Sequence, residues 1–450
     1  MKKTFLLLSL LQITPLAHPK EITKNLNLNG SMSLNFRTVG PRRPGYEYQI
    51  QTQVYLSDIF FGMDGKISEK YPFLLEFQIP TASQGQINLY RFSTNFRYWD
   101  EKLKLELGKF LVPFGHYNEL YRADKFLSIT KPLIYASPDN LDLVLRLNSP
   151  RPPFSAGYTD IGARASYYPN SYRWLPSELT AYLVNGFGEV GNRLRTFPYT
   201  GKLNVQGRPI SGVNMDFGHL NNNLADNNNN KAPGGRIAFA LGDLKIPFPV
   251  EEGLELKGVR VGLSGMYGRY DLEEAVFGQD YRICGTDLLF QYKNFSFSGE
   301  YVYSETDFSL AQADANDNVD FAQNTDNLPS KIEINRGFYF QSSFPIWQVK
   351  GNGKKLLGIL AFNRIERSGP KLIFSRNAEP KTGLPISAFP NQGNQITTKI
   401  DKYTGGLNFP INNNLILKTE YSYWTINVPP VDNARQTNIN QIATSLVFSF

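Results

Sequence analysis

The residues able to do bond-making chemistry in this 450-residue chain are few, and their surroundings decide what they can do. Of the three histidines, His18 lies by a cleavage-like region, and His116 and His219 lie in long loops. None stands near a recognisable nucleophile arrangement, so a serine–histidine hydrolase finds no support and solvated loop histidines are the plainer reading. Asp314 to Asn318 starts like a calcium loop, but Val319 stands where the turn glycine belongs and Thr325 where the bidentate glutamate belongs, so it reads as a solvated acidic loop. Gly351 to Lys355 lacks the spacing and hydroxyl of a phosphate loop and reads as a turn. Cys284, the single cysteine, excludes an intrachain disulfide framework. No catalytic, cofactor-binding or metal-binding set emerges, and the expectation is a non-enzyme without a cofactor.

What remains is a set of charges in strict alternation with apolar residues. Arg37, Arg91, Arg97, Lys104, Arg164, Arg236, Arg260 and Lys418 share a parity with Glu76, Glu106, Glu178, Asp287, Glu300 and Glu420. Apolar side chains occupy the opposite parity, and side chains on a strand alternate with period two. These charges can solvate a polar face and set its field, and their modest excess of cations leans toward anions. They are spread over many strands instead of forming one cluster, which argues against nucleic acid.

The elements that must position these charges are strands. Leu26 to Phe36 alternates cleanly, and the pattern recurs at Phe73–Ile79, Arg91–Tyr98, Leu103–Leu107, Ile161–Tyr167 and Leu179–Leu183. It continues at Ile237–Leu241, Val259–Tyr267, Cys284–Tyr292, Phe295–Tyr303, Phe338–Phe344, Leu356–Ile365, Tyr403–Phe409, Leu415–Tyr423 and Gln441–Phe450. Short turns such as Trp99–Lys102 and Lys293–Asn294 alternate with long connections, among them 111–157, Gly188–Pro233 with its run Asn221–Asn230, the acidic loop Glu305–Leu328, and Ser368–Gln395. These fifteen segments put the count at about 16, an even number, and with both termini on one side every short turn falls there and every long loop on the other.

Composition narrows the class. Mean hydropathy is −0.34, and no internal apolar run reaches the roughly 20 residues of a membrane helix. The 32 Phe and 25 Tyr suit aromatic girdles at two membrane interfaces. Residues 1–17 have the form of an export signal, with Lys2 and Lys3 ahead of an apolar core. Removing them subtracts two charges from +7 and leaves +5. The reading is an all-β chain: residues 18–450 form one transmembrane antiparallel up-and-down β-barrel, with short periplasmic turns and long extracellular loops. Closure satisfies every backbone donor and acceptor where no water is present.

Two stretches resemble known families. The end of the chain, with Phe448 and Phe450 on the outer parity, resembles the terminal strand of bacterial outer-membrane barrels, which implies recognition by the barrel-assembly machinery and closure onto the first strand. Leu107-Gly108-Lys109-Phe110-Leu111-Val112-Pro113-Phe114-Gly115 resembles the G-K-F-x-x-P-F-G element of the phosphate-selective porin O and P superfamily. That resemblance implies a homotrimeric channel in the bacterial outer membrane, with the loop after the motif folded into the lumen. Physically, Pro113 ends strand pairing, and Gly108 and Gly115 permit a bulge and a redirection. Lys109 shares the outward parity of Leu105 and Leu107, so a bulge near Gly108 or a place at the membrane rim is needed to keep its charge out of lipid. The expected function is passive diffusion of small hydrophilic solutes, anions among them, past Arg91, Arg97, Lys104, Glu106, Arg164 and Arg260. The alternative is a surface barrel acting as an adhesin or structural protein through its loops. The expected partners are outer-membrane lipid, such solutes and the assembly machinery.

Overall fold

The computed structural model describes residues 26–40, 51–57, 59–68, 71–79, 87–99, 102–119, 124–135, 150, 152–154, 157–169, 176–187, 204–205, 208–209, 231–242, 257–270, 279–307, 312–313, 319–320, 332–348, 354–374, 388–427 and 438–450. The expected export signal 1–17, His18, His219, the run Asn221–Asn230 and the calcium-like stretch Asp314–Asn318 lie outside the described residues.

The chain runs through β1 (Leu26–Gly40), β2 (Gln51–Leu56), β3 (Ile59–Ser68), β4 (Tyr71–Ile79), β5 (Asn88–Tyr98) and β6 (Leu103–Leu111). A short helix α1 (Gly115–Glu119) precedes β7 (Thr159–Tyr167) and β8 (Glu178–Val184). After a two-residue ladder of β9 (Asn204–Val205) and β10 (Arg208–Pro209) come β11 (Ala232–Gly242), β12 (Lys257–Tyr270), β13 (Gln279–Tyr292) and β14 (Phe295–Asp307). A second small ladder, β15 (Gln312–Ala313) with β16 (Val319–Asp320), is followed by β17 (Ile332–Gln348), β18 (Lys355–Phe374), β19 (Ala388–Asn412), β20 (Leu415–Asn427) and β21 (Asn438–Ser449).

Every neighbouring pair in the large sheet is antiparallel, and β21 returns to β1 in register from Ser31↔Ser449 to Gly40↔Asn440. The sheet is therefore a closed barrel. Its last bonds are reciprocal, Gly30 N–H to Phe450 O at 3.0 Å and Phe450 N–H to Gly30 O at 3.1 Å. Both β2 and β3 pair with β1, at Leu34↔Leu56 and Leu26↔Gly65 respectively, so these two segments are halves of one strand and the barrel has 16.

That broken strand is a correction to the pattern reading, which passes over Gln51–Ser68. Val54 and Leu56 are exposed outward before the break, and Phe61 is exposed after it, so the apolar phase moves from even to odd positions. A one-residue phase change erases period two across the segment. The supposed loop Ser368–Gln395 is also shorter than expected, because β18 runs on to Phe374 and pairs with β19 through a register shift at Pro370/Leu372. Proline lacks the donor that regular pairing needs, so the ladder slips there and resumes.

The outer face carries exposed Phe36, Phe92, Leu107, Leu183, Phe239, Leu263, Phe340, Leu360, Leu407 and Ile442 around the wall. Exposed Tyr71, Tyr98, Trp99, Tyr167, Tyr292, Phe295 and Trp347 ring the short-turn end. An apolar band edged by aromatics on a closed sheet is the exterior a bilayer demands, which makes this a transmembrane barrel. The inner faces are polar, with Ser31, Ser33, Asn35 and Arg37 all buried on β1.

Candidate functional site

Gly108 lies within β6, and the ladders to β5 and β7 pass through it without a register shift, so the expected bulge is absent. Its φ is +119°, and a Cβ there would lie 2.2 Å from the Phe92 carbonyl oxygen, so only glycine fits. The twist breaks the alternation: Leu107 remains exposed outside, whereas Lys109, Phe110 and Leu111 are all buried. Lys109 is covered by protein, at 2 % exposure. Val112 then donates to Tyr158 O at 3.0 Å, Pro113 and Phe114 are buried, and Gly115, at φ +68°, turns the chain into α1.

From there the segment is held by side chains of the barrel's inner wall. The Gly115 N–H donates to Ser264 Oγ at 3.3 Å, and the Tyr117 N–H donates to Glu300 Oε1 at 2.5 Å. Glu300 also accepts the Tyr339 hydroxyl at 3.1 Å and the Tyr135 hydroxyl. Farther along, the N–H groups of Ile129 and Thr130 donate to the Glu420 carboxylate at 2.8 and 3.2 Å, and that of Leu133 to Asn363 Oδ1 at 3.3 Å. Asn408 Nδ2 donates to Leu127 O at 2.7 Å, while Lys402 reaches Thr130 Oγ1 and Lys418 reaches Phe126 O. Acids take the segment's N–H groups and lysines its oxygens, which satisfies backbone groups that water would otherwise have to meet.

Glu119 closes the end of α1. It lies 3.4 Å from Arg236 and 3.2 Å from Arg260, which pair in turn with Asp287 at 2.6 Å and Glu178 at 2.6 Å. Burial opposes ionisation of Glu119, but the guanidinium groups of Arg236 and Arg260 outweigh it and bring its pKa down to about 2. His116, read from sequence as a solvated loop histidine, is buried instead. Desolvation, with Arg260 next to it, pushes its pKa down to about 4, so it is neutral near pH 7.

Aromatic rings pack the same segment into a core inside the barrel. Phe114 stacks on Phe154 at 4.3 Å, Tyr117 on Phe126 at 4.2 Å, and Tyr158, Phe187 and Tyr281 follow at 4.7 and 4.8 Å. All six of the rings other than Phe126 are buried.

The six charged residues singled out from sequence fall into two groups. Arg260 is spent on Glu119 and Glu178 and is buried, so it holds α1. The other five share the inner wall of β5 to β7: Arg91 pairs with Glu76 at 2.5 Å, and Glu106 lies 3.6 Å from Lys104 and 3.0 Å from Arg164. Arg97 faces Lys104 in register and is exposed. Here the cations Arg91, Lys104 and Arg164 keep 21, 26 and 17 % of their side-chain surface, against 1 and 7 % for Glu76 and Glu106. The carboxylates are covered, and the cations beside them keep part of their surface open. Sequence reasoning missed Tyr135, Tyr339, Asn363 and Lys402 as docking residues, since their partners lie far away in the chain and no local spacing marks them.

No family model matches the chain, and no curated protein does. Among solved structures it is similar to the trimer form of the outer-membrane protein OmpT of Vibrio cholerae, with 8 % identity and a TM-score of 0.49 over 94 % of this chain and 99 % of that one. The anion-selective porin of Comamonas acidovorans is similar at 10 % identity and a TM-score of 0.49, over 94 and 99 % of the two chains. The outer-membrane channel DcaP of Acinetobacter baumannii is similar at 11 % identity and a TM-score of 0.45, over 96 and 100 %. At these values the architecture rests on the chain's own strand pairing.

Proposed function

We propose that the protein is an outer-membrane porin, a water-filled channel through which small hydrophilic solutes diffuse passively, with a preference for anions. The observation that carries this reading is the layering on β5 to β7, where partly exposed cations stand beside more deeply covered carboxylates. A passing solute responds most to the charges nearest its path, because electrolyte screens beyond about 8 to 10 Å at physiological salt. Arginine suits the task, since its charge is fixed and its fork can hold a carboxylate or phosphate bidentately.

The inner faces of β11 to β14 and β17 to β20 are engaged with the docked segment within 111–157. That supports a path along β4 to β7, narrowed by this segment. We include in the same reading a homotrimer, as the motif resemblance implies, and Phe448 and Phe450 as an assembly signal. Reversal potentials across a salt gradient in a planar bilayer test it. Anion preference that falls on R91Q/R97Q is expected. Cation preference, or no loss in that variant, rejects the selectivity, and absence of conductance favours a surface barrel acting through its loops.

A further inference from the structure

Among the described side chains, the outward positions of the strands are uncharged except along one arc. On β13, β14, β17, β18 and β19 the outer face carries Arg282, Glu305, Arg336, Glu366, Arg364, Asp401 and Lys399, with Asp280 two residues beyond Arg282. Pairing sets them side by side: Arg282 faces Glu305, Arg336 faces Glu366, Glu366's strand brings Arg364 opposite Asp401, and Glu366 itself faces Lys399 on the other side. Tyr303 stands opposite Arg336 and joins the two groups.

The depth of the arc follows from strand geometry. Arg282 is ten residues along β13 from Tyr292, and Glu305 is ten residues along β14 from Phe295, both aromatics belonging to the short-turn ring. Ten residues at about 3.3 Å each, tilted by about 40°, climb about 25 Å, the height of one apolar band. The arc therefore lies at the far interface, at the level of lipid headgroups. Just inside it are Phe338 and Phe362, over which the Arg364 guanidinium lies at 6.0 and 5.7 Å.

Charges of both signs are present, but the cations protrude. Arg282 and Arg336 keep 67 and 47 % of their side-chain surface, against 23 and 21 % for their partners Glu305 and Glu366. One carboxylate contacts part of each guanidinium, which carries five N–H donors and keeps about half or more of its side-chain surface open. We propose that this arc binds the phosphate of an anionic membrane lipid, whose acyl chains lie along the apolar outer face beneath it at Phe340, Leu360 and Leu407. The site rests on the membrane reading of the barrel and is separate from its lumen.

Native mass spectrometry of the delipidated full-length barrel in neutral detergent, titrated with phosphatidylglycerol or phosphatidylcholine, tests it. Each cation near a lipid surface contributes enough that a preference of at least about tenfold for phosphatidylglycerol is expected in the native protein. R282Q/R336Q/K399Q should lose that preference while its single-channel conductance stays native, and R282Q alone gives a smaller loss if the triple variant does not assemble. Equal retention of both lipids by a conducting native barrel overturns the proposal, as does a preference that survives in the triple variant. Displacement of the lipid by equimolar glycerol phosphate, which has the headgroup and no chains, overturns the lipid assignment. A native barrel that retains phosphatidylglycerol but does not conduct supports the arc and counts against the porin reading alone.

Discussion

The carboxylate of Glu300 on β14 accepts the backbone N–H of Tyr117 at 2.5 Å, although 183 residues separate them. The same group takes the hydroxyls of Tyr135 and Tyr339, so one buried side chain joins two parts of the inward segment to two strands of the wall. Glu300→Ala leaves three buried donors without this acceptor, at about 1–3 kcal/mol each. The expected result is a larger and noisier single-channel current from a barrel that still shows heat-modifiable migration. Native conductance in that variant would mean that the segment does not obstruct the path.

Acid should loosen the hold of Arg236 and Arg260 on α1. The pKa of His116 is lowered from 6.5 to about 4, so the neutral form it needs contributes fully above pH 6.5 and is lost as pH falls toward 4. For Glu119 the pKa falls from 4.5 to about 2, so its contribution is complete above pH 4.5 and is lost as pH drops to about 2. Both act in one direction. Conductance measured from pH 7 down to pH 3 should rise or become unstable on acidification, and a conductance that falls smoothly would oppose this assignment of charge states.

Glu106 offers a test of the wall. It accepts Ser93 Oγ at 2.7 Å and serves both Lys104 and Arg164, so Glu106→Gln removes the charge that offsets them while retaining an acceptor for Ser93. Anion preference should increase, read as a larger reversal potential in the same salt gradient and reduced at high salt by screening. A shift toward cations would place the path elsewhere in the barrel.

Gly108 is a conformational requirement of β6 just before the chain turns inward. Gly108→Val puts a β-branched residue at φ +119° with its Cβ 2.2 Å from the Phe92 carbonyl oxygen. Backbone strain of about 1–3 kcal/mol is expected, before the clash is counted. The yield of heat-modifiable barrel should fall, and full native yield with native conductance would show that β6 accommodates a side chain there.

The strand plan was legible in the sequence because period two is a local property: Leu26 to Phe36 or Gln441 to Phe450 announces its two faces with no knowledge of the partner strand. Legibility failed where the phase moved, at Gln51–Ser68, and where pairing resumed after Pro370, since a shifted register mimics a loop. The signals at Pro113 and Gly115 marked the departure from strand, because backbone restriction is also local, whereas Gly108 stays inside β6 and its ladder runs on to Leu111 without the expected bulge. Which inward charges meet the lumen and which hold the segment could not be read this way. Arg164 and Arg260 have the same parity and the same chemistry. Only the fold brings Glu119 to Arg260 across 141 residues while leaving Arg164 over a covered Glu106, because closing a barrel joins strands that are distant in the chain and contacts across the lumen leave no periodic trace in it.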